Sequence, residues 1–173
     1  MAEKHTVFLL LGSNIQPRLD YIENAVRLIN KSLGEITRFS SVYESEPWGF
    51  EAPVAFLNQV VCVDTTFGPL ELLKKTREIE QKNGRTSKSV KGNYTSRSLD
   101  IDILFFDDEI IHLPELTIPH THIADRRFTL FPLTEIAPEK IHPVLKRNCR
   151  QLLAECRDKG KVWKYEREQI NAL

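Results

Sequence analysis

Two segments of helical periodicity, each framed by apolar or β-branched runs, most restrict what this chain can fold into. HTVFLLLGSN (5–14) is an apolar run ended by Gly12, which predicts a buried central strand. In QPRLDYIENAVRLINKSLG, Leu19, Ile22, Val26, Ile29 and Leu33 recur at helical spacing before Gly34 supplies a stop. EITRFSSVYES (35–45) predicts a strand, EPWGFEAPVA a Pro/Gly/aromatic loop, and FLNQVVCVDTTF (56–67) another strand. GPLELLKKTREIEQKNG (68–84) predicts a second helix, with Pro69 near its first turn and Gly84 at its end. A long polar loop then leads to LDIDILFF (99–106), the fourth strand. Strand, helix, strand, strand, helix, strand is the βαββαβ order of a ferredoxin-like α+β sandwich with an antiparallel sheet.

Beyond it lie a short strand candidate (EIIHL), a Pro/His-rich connection, the aromatic stretch RRFTLFPLTEIAP and an additional C-terminal helix from about Asn148 to Asp158. No linker or repeat interrupts residues 1–159, which are expected to form one domain; residues 160–173 are expected to be a loosely held mixed-charge tail. The 173 residues, 41% hydrophobic and 28% charged, suit one soluble domain with a full core. Lys plus Arg and Asp plus Glu both number 24, so the chain lacks the basic excess of a nucleic-acid or membrane-surface binder. No apolar run is long enough to span a bilayer. Cys62, Cys149 and Cys156 form no CxxC pair, and an odd, scattered set points to a reducing compartment, the cytoplasm. A monomer is expected.

The fourth strand carries the strongest chemical signal. Alternation puts Leu99, Ile101, Ile103 and Phe105 on the core face and Asp100 with Asp102 on the other, about 7 Å apart along the strand. Two carboxylates that close call for a positive partner, and Mg²⁺ accepts one or two carboxylates plus phosphate oxygens. Alone, the pair fits a solvated edge strand equally well. The flanking charges favour the metal. Lys82, Arg85, Lys88, Lys91 and Arg97 precede it with no acid among them; Asp100, Asp102, Asp107, Asp108 and Glu109 follow with no base. Solvated surfaces intersperse their signs. Such segregation suits a polyphosphate held by metal on one side and by Lys and Arg on the other. No GxxxxGK[ST] occurs, so the loop is not a P-loop; it reads as a lid over nucleotide.

PHTHIADRRF holds His120, His122, Arg126 and Arg127. A zinc site lacks further ligands at suitable spacing, and His120 with Arg126 fits phosphate contacts better, while His122 reads as part of a polar connection. His5, His112 and His142 have no recognisable partner and read as structural or surface residues. Gly12 could admit a ligand close to the backbone or simply end a strand. Asn58 could hydrogen-bond a planar heterocycle on which Phe56 or Phe128 stacks.

LLLGSN, VYESEPWGF, FLNQVV, GR, SRSLDIDIL, IPH and RRFTLFPLTEIAP occur in the order and spacing of 6-hydroxymethyl-7,8-dihydropterin pyrophosphokinases. The resemblance covers residues 5 to 155, and Arg97 through Leu104 is its most specific part. It implies a ferredoxin-type sandwich that transfers pyrophosphate from ATP to a pterin hydroxymethyl group, releasing AMP, in folate biosynthesis. It implies that Asp100 and Asp102 bind two Mg²⁺ ions and that Arg97 and Arg85 contact the reacting phosphates. Lys88, His120, Arg126 and Glu80 correspond to ATP-side residues, and Gly12, Ser45, Pro47, Phe56, Asn58 and Phe128 to the pterin pocket. Tyr94-Thr95-Ser96 stands where the family often has Trp-Gly-Pro, and Tyr94 retains a ring that can stack. Two other readings stay open on the residues alone. One is another Mg-dependent phosphoryl or nucleotidyl transferase; the other is a non-catalytic ferredoxin-like module, which the absence of an exposed aromatic stripe disfavours for RNA.

Overall fold

The computed structural model describes residues 2–49, 52, 54–84 and 98–167. In chain order the elements are β1 (His5–Ser13), α1 (Arg18–Ser32), β2 (Glu35–Phe39), β3 (Tyr43–Ser45), β4 (Phe56–Thr65), α2 (Pro69–Lys82), β5 (Asp100–Phe106), β6 (Ile111–His112), β7 (Thr117–Ile118), α3 (Arg127–Ile136), α4 (Cys149–Glu155) and β8 (Val162–Lys164). The main sheet runs β5-β1-β4-β3-β8, with β2 also on β4, and every pairing is antiparallel.

The predicted strand 35–45 is two strands on the same edge of β4. Ser40 interrupts it: its hydroxyl accepts from Val60 N (3.0 Å) while its own N–H donates to Val60 O (2.9 Å). A side chain that competes with the ladder in this way breaks a strand without letting it leave the sheet.

Two cores lie on the two faces. Val7, Leu9, Leu11, Val61, Val63, Leu99, Ile101 and Ile103 meet the apolar stripes of α1 and α2; Phe8, Leu10, Val60, Cys62, Leu104 and Phe105 meet α3 and α4. Phe105 therefore departs from the expected alternation. Pairing with β1 runs Phe8–Phe105 and then Leu9–Ile103, so Leu104 is an extra residue in a β-bulge. The bulge turns both Leu104 and Phe105 to the aspartates' face and returns Phe106 to the first core.

Within the aromatic stretch 126–138, Arg127–Ile136 forms α3, which covers the second core, and α4 is shorter than expected. Its start is a capping box: Gln151 N donates to Asn148 Oδ1 (2.8 Å) and Asn148 N to Gln151 Oε1 (2.9 Å). Residues 162–164, expected in a loose tail, instead extend the sheet beside β3. Trp163 Nε1 donates to Glu44 Oε1 (3.0 Å), and Tyr165 N donates to Val42 O (2.9 Å). The apolar ring of Tyr165 packs on the first core, which mixed charge alone did not reveal.

Two of the remaining histidines are partnered. His5 Nδ1 lies 2.7 Å from Asp107 Oδ2. His142 is buried, its ring edge-on to Phe105 at 5.8 Å, and its Nδ1 accepts from Val144 N (3.2 Å) and Leu145 N (3.0 Å). Burial lowers its pKa from the ordinary 6.5. The unfolded chain therefore takes up a proton that the folded one resists, and stability present above the ordinary value is lost as pH falls below it. His142→Gln is expected to flatten that acid limb in urea denaturation between about pH 8 and pH 5; an unchanged limb would refute the role. Gly34, between α1 and β2, has φ +155, and a Cβ there would lie 2.0 Å from Asp64 O. Gly34→Ala is expected to destabilise by about 3 kcal/mol, and a urea midpoint within experimental error of the parent would contradict the clash.

Candidate active site

One cross-strand row brings the polar positions together. Asp100 faces Gly12, Gly12 faces Asn58, and Asn58 faces Tyr43. Opposed residues of antiparallel strands share a face, so the missing side chain of Gly12 leaves a gap between Asp100 and Asn58. A Cβ at Gly12 would stand 3.7 Å from Asn58 Oδ1 and 3.9 Å from Phe56 Cδ1. It would fill the space before that oxygen rather than clash with the fold. The Asn58 amide is oriented by Nδ2, which donates to Ser45 Oγ at 2.8 Å. Oδ1 is left facing the gap as an acceptor.

Asp102, two residues along β5 and opposite Leu10, carries the row toward the 120–128 segment. Its Oδ2 lies 3.9 Å from His120 Nε2. His120 Nδ1 accepts from His122 N (3.1 Å), which places the proton of the neutral ring on Nε2, toward Asp102. The His120 backbone N–H donates to Leu104 O at 3.0 Å, so the bulge residue of β5 holds the histidine loop against the aspartate strand. Burial lowers the His120 pKa; Asp102 pulls it up, Arg126 and His122 push it down further, and Asp100 opposes them.

Arg126 stands at the N-cap of α3 and is 7% exposed. Its guanidinium carbon lies 4.4 Å from the centre of the Trp48 ring and 5.5 Å from that of Phe128. The His122 ring lies 5.4 Å from Trp48 and 5.9 Å from His120. Ser45, Pro47, Trp48 and Phe128 line a cavity of about 220 Å³, bounded on its other side by Asp158, Gly160, Lys161 and Val162.

The structure thus gathers Gly12, Asn58, Ser45 and Phe56 beside Asp100, and Asp102 beside His120 and Arg126. Glu80 is buried on α2, the helix that covers the opposite face of the sheet. Arg85, Lys88, Tyr94 and Arg97 lie outside the described residues. Trp48 and His122 join the site although sequence alone assigned neither a role there: EPWGF reads as an aromatic loop and part of a family fragment, and His122 as part of a polar connection. Among the described residues no three His, Cys, Asp or Glu side chains converge to cage a metal. Two carboxylates on one partly exposed edge fit a hard divalent cation that completes its shell with water or phosphate oxygens.

The family described as 7,8-dihydro-6-hydroxymethylpterin-pyrophosphokinase (HPPK) matches residues 8–138. The chain belongs to this family. A 2-amino-4-hydroxy-6-hydroxymethyldihydropteridine pyrophosphokinase of Aquifex aeolicus is 40% identical over 150 residues, covering 87% of this chain and 91% of the relative. The Bacillus subtilis protein of that description is 39% identical over 133 residues, covering 76% of this chain and 78% of its own. Among solved structures, Plasmodium falciparum HPPK-DHPS crystallised with pteroate matches with a TM-score of 0.74 at 20% identity. That match covers 89% of this chain and 44% of the Plasmodium chain, so it bears on the fold of the HPPK part. This pyrophosphokinase has no described helix long and apolar enough to cross a membrane.

The pull of Asp102 on His120 can be read directly. In metal-free protein, Asp102→Asn is expected to lower the His120 pKa further, followed by NMR titration of the imidazole; a rise would contradict the assigned contact.

Proposed function

We propose that this HPPK transfers the pyrophosphoryl group of ATP to the hydroxymethyl oxygen of 6-hydroxymethyl-7,8-dihydropterin across the Asp100–Gly12–Asn58 row. That row is the observation that carries the reading: it sets an acidic phosphate-side group and an amide acceptor on one face, with Gly12, which has no side chain, between them in the register. The ferredoxin-like reading is supported by the order of β5, β1, β4 and the β2/β3 edge, with both intervening helices on one face.

In this reading Asn58 Oδ1 accepts from the pterin's N–H edge, and Phe56 and Phe128 hold its rings. Gly12 lets the heterocycle approach β1, and Ser45 and Pro47 close the pocket with Tyr94. Asp100 and Asp102 hold Mg²⁺, for which we propose two ions. The ions supply charge neutralisation on the phosphates and acidify nearby oxygen ligands. Arg126 and His120 take nucleotide phosphate oxygens, His120 through its Nε2–H. Arg85, Lys88 and Arg97 neutralise the remaining charge, whereas Glu80, buried on α2 against the opposite face of the sheet, is assigned no contact with the nucleotide. The hydroxymethyl oxygen attacks the β-phosphorus and its proton is released to solvent, the bond from that phosphorus to the oxygen bridging to the α-phosphate breaks, and AMP leaves with that oxygen. The protein contributes alignment and charge compensation more than covalent chemistry. The catalytic domain extends through β8, which completes the sheet beside β3, and acts as a cytoplasmic monomer.

The deciding experiment follows nucleotide products with and without the hydroxymethyl pterin. Pterin-dependent AMP without free pyrophosphate is expected; ADP would sink the proposal. Asp100→Ala and Asp102→Ala should each reduce turnover by about 10³-fold, with parental turnover in either variant counting against the metal assignment.

A further inference from the structure

Arg126 and Trp48 are distant in sequence and belong to different loops. Trp48 lies between β3 and β4, beside Pro47 and Ser45; Arg126 begins α3. The backbone of Arg126 is fixed, because its carbonyl accepts from Thr129 N and Leu130 N, both at 3.1 Å. Its side chain runs into a mostly buried position with the guanidinium 4.4 Å from the Trp48 ring centre and 5.5 Å from that of Phe128. Both distances are inside the range of cation–π attraction, and indole is the strongest of the protein rings. A ring engages the face of a guanidinium, whereas hydrogen bonds leave by its edge. Trp48 can therefore fix the direction of Arg126 without using its N–H donors. Trp48 and Phe128 also line the cavity of about 220 Å³ next to Ser45 and Pro47. The His122 ring touches Trp48 from the His120 side.

We propose that Trp48 is a positioning residue: it seats the Arg126 guanidinium and so ties filling of the pterin pocket to the grip on the nucleotide phosphates. The inference rests on the assignment of Arg126 to ATP made above. Trp48 moves when the heterocycle enters against Phe128 and Pro47, and Arg126 moves with it.

The test uses the full chain, magnesium and a non-hydrolysable ATP analogue. Affinity is measured by calorimetry with and without the hydroxymethyl pterin, in the parent, Trp48→Leu, Trp48→Phe, Arg126→Ala and the Trp48→Leu/Arg126→Ala double variant. Thermal melts confirm that each is folded. In the parent, pterin is expected to tighten analogue binding, and its failure to do so would overturn the coupling. Trp48→Leu is expected to weaken analogue binding about ten-fold, the scale of a desolvated cation–π contact, and to lose that tightening. Trp48→Phe, which keeps a ring, should restore most of both. On the Arg126→Ala background the Trp48 change should add almost nothing, because the two act as one unit. In a Trp163→Phe background, Trp48 emission should shift on addition of the analogue alone. If Arg126→Ala weakens binding but Trp48→Leu does not, or if the two effects simply add, the positioning role is overturned while the assignment of Arg126 stands. If Arg126→Ala binds the analogue as tightly as the parent, the assignment itself fails and the inference with it.

Discussion

β1 is hydrogen-bonded on both edges, to β4 and to β5, and the placement of the site's polar groups depends on that double pairing. Antiparallel register is a discrete variable: a slip of one residue would turn every side chain of a strand to the other face. Here a slip of β5 would bury Asp100 and Asp102 and turn Leu99, Ile101 and Ile103 out of the first core, while in β1 and β4, apolar on both faces, it would exchange Val7, Leu9, Leu11, Val61 and Val63 with Phe8, Leu10, Val60 and Cys62 between the two cores. Asp100, Gly12 and Asn58 are thus aligned by the burial of their neighbours, not by contacts among themselves. The hydrophobic core is what positions the polar row.

The bulge at Leu104 gives this edge strand two environments. Before it, the face opposite the first core is left to two aspartates. After it, the same face carries Leu104 and Phe105 into the second core under α3 and α4. One inserted residue separates the part of β5 available to ligand from the part that anchors the strand. It also holds the chain after β7, since Leu104 O accepts the His120 N–H. A histidine eighteen positions from Asp102 in sequence is in this way set against its carboxylate.

Charge in the site is held by different means on its two sides. The carboxylates occupy a half-exposed strand edge, where hydration lowers the repulsion between them. Arg126 is mostly buried and sits among aromatic rings, which offer attraction to a cation at little desolvation cost to themselves. Between them His120 is kept largely neutral by burial, with its donor directed at Asp102.

The alternation of strands and helices, the paired aspartates on one face and the reversal of charge around residue 99 were legible in the sequence. Each is a local pattern, set by side-chain periodicity over a few residues. Asn58, Gly12 and His120 were candidates from their residue types, family likeness gave them substrate-side roles, and the fold placed them on β4, on β1 and beside β5. What the residues could not disclose depended on contacts between distant segments. Ser40 splits a strand only because Val60 lies opposite it. Phe105 changes face only because β1 skips Leu104. Residues 162–164 become a strand only because β3 presents an open edge, and Trp48 enters the site only because α3 delivers Arg126 to it. Local pattern determines which way a side chain points from its own element; which other chain segment stands there to meet it is decided by packing, and only the tertiary structure contains that information.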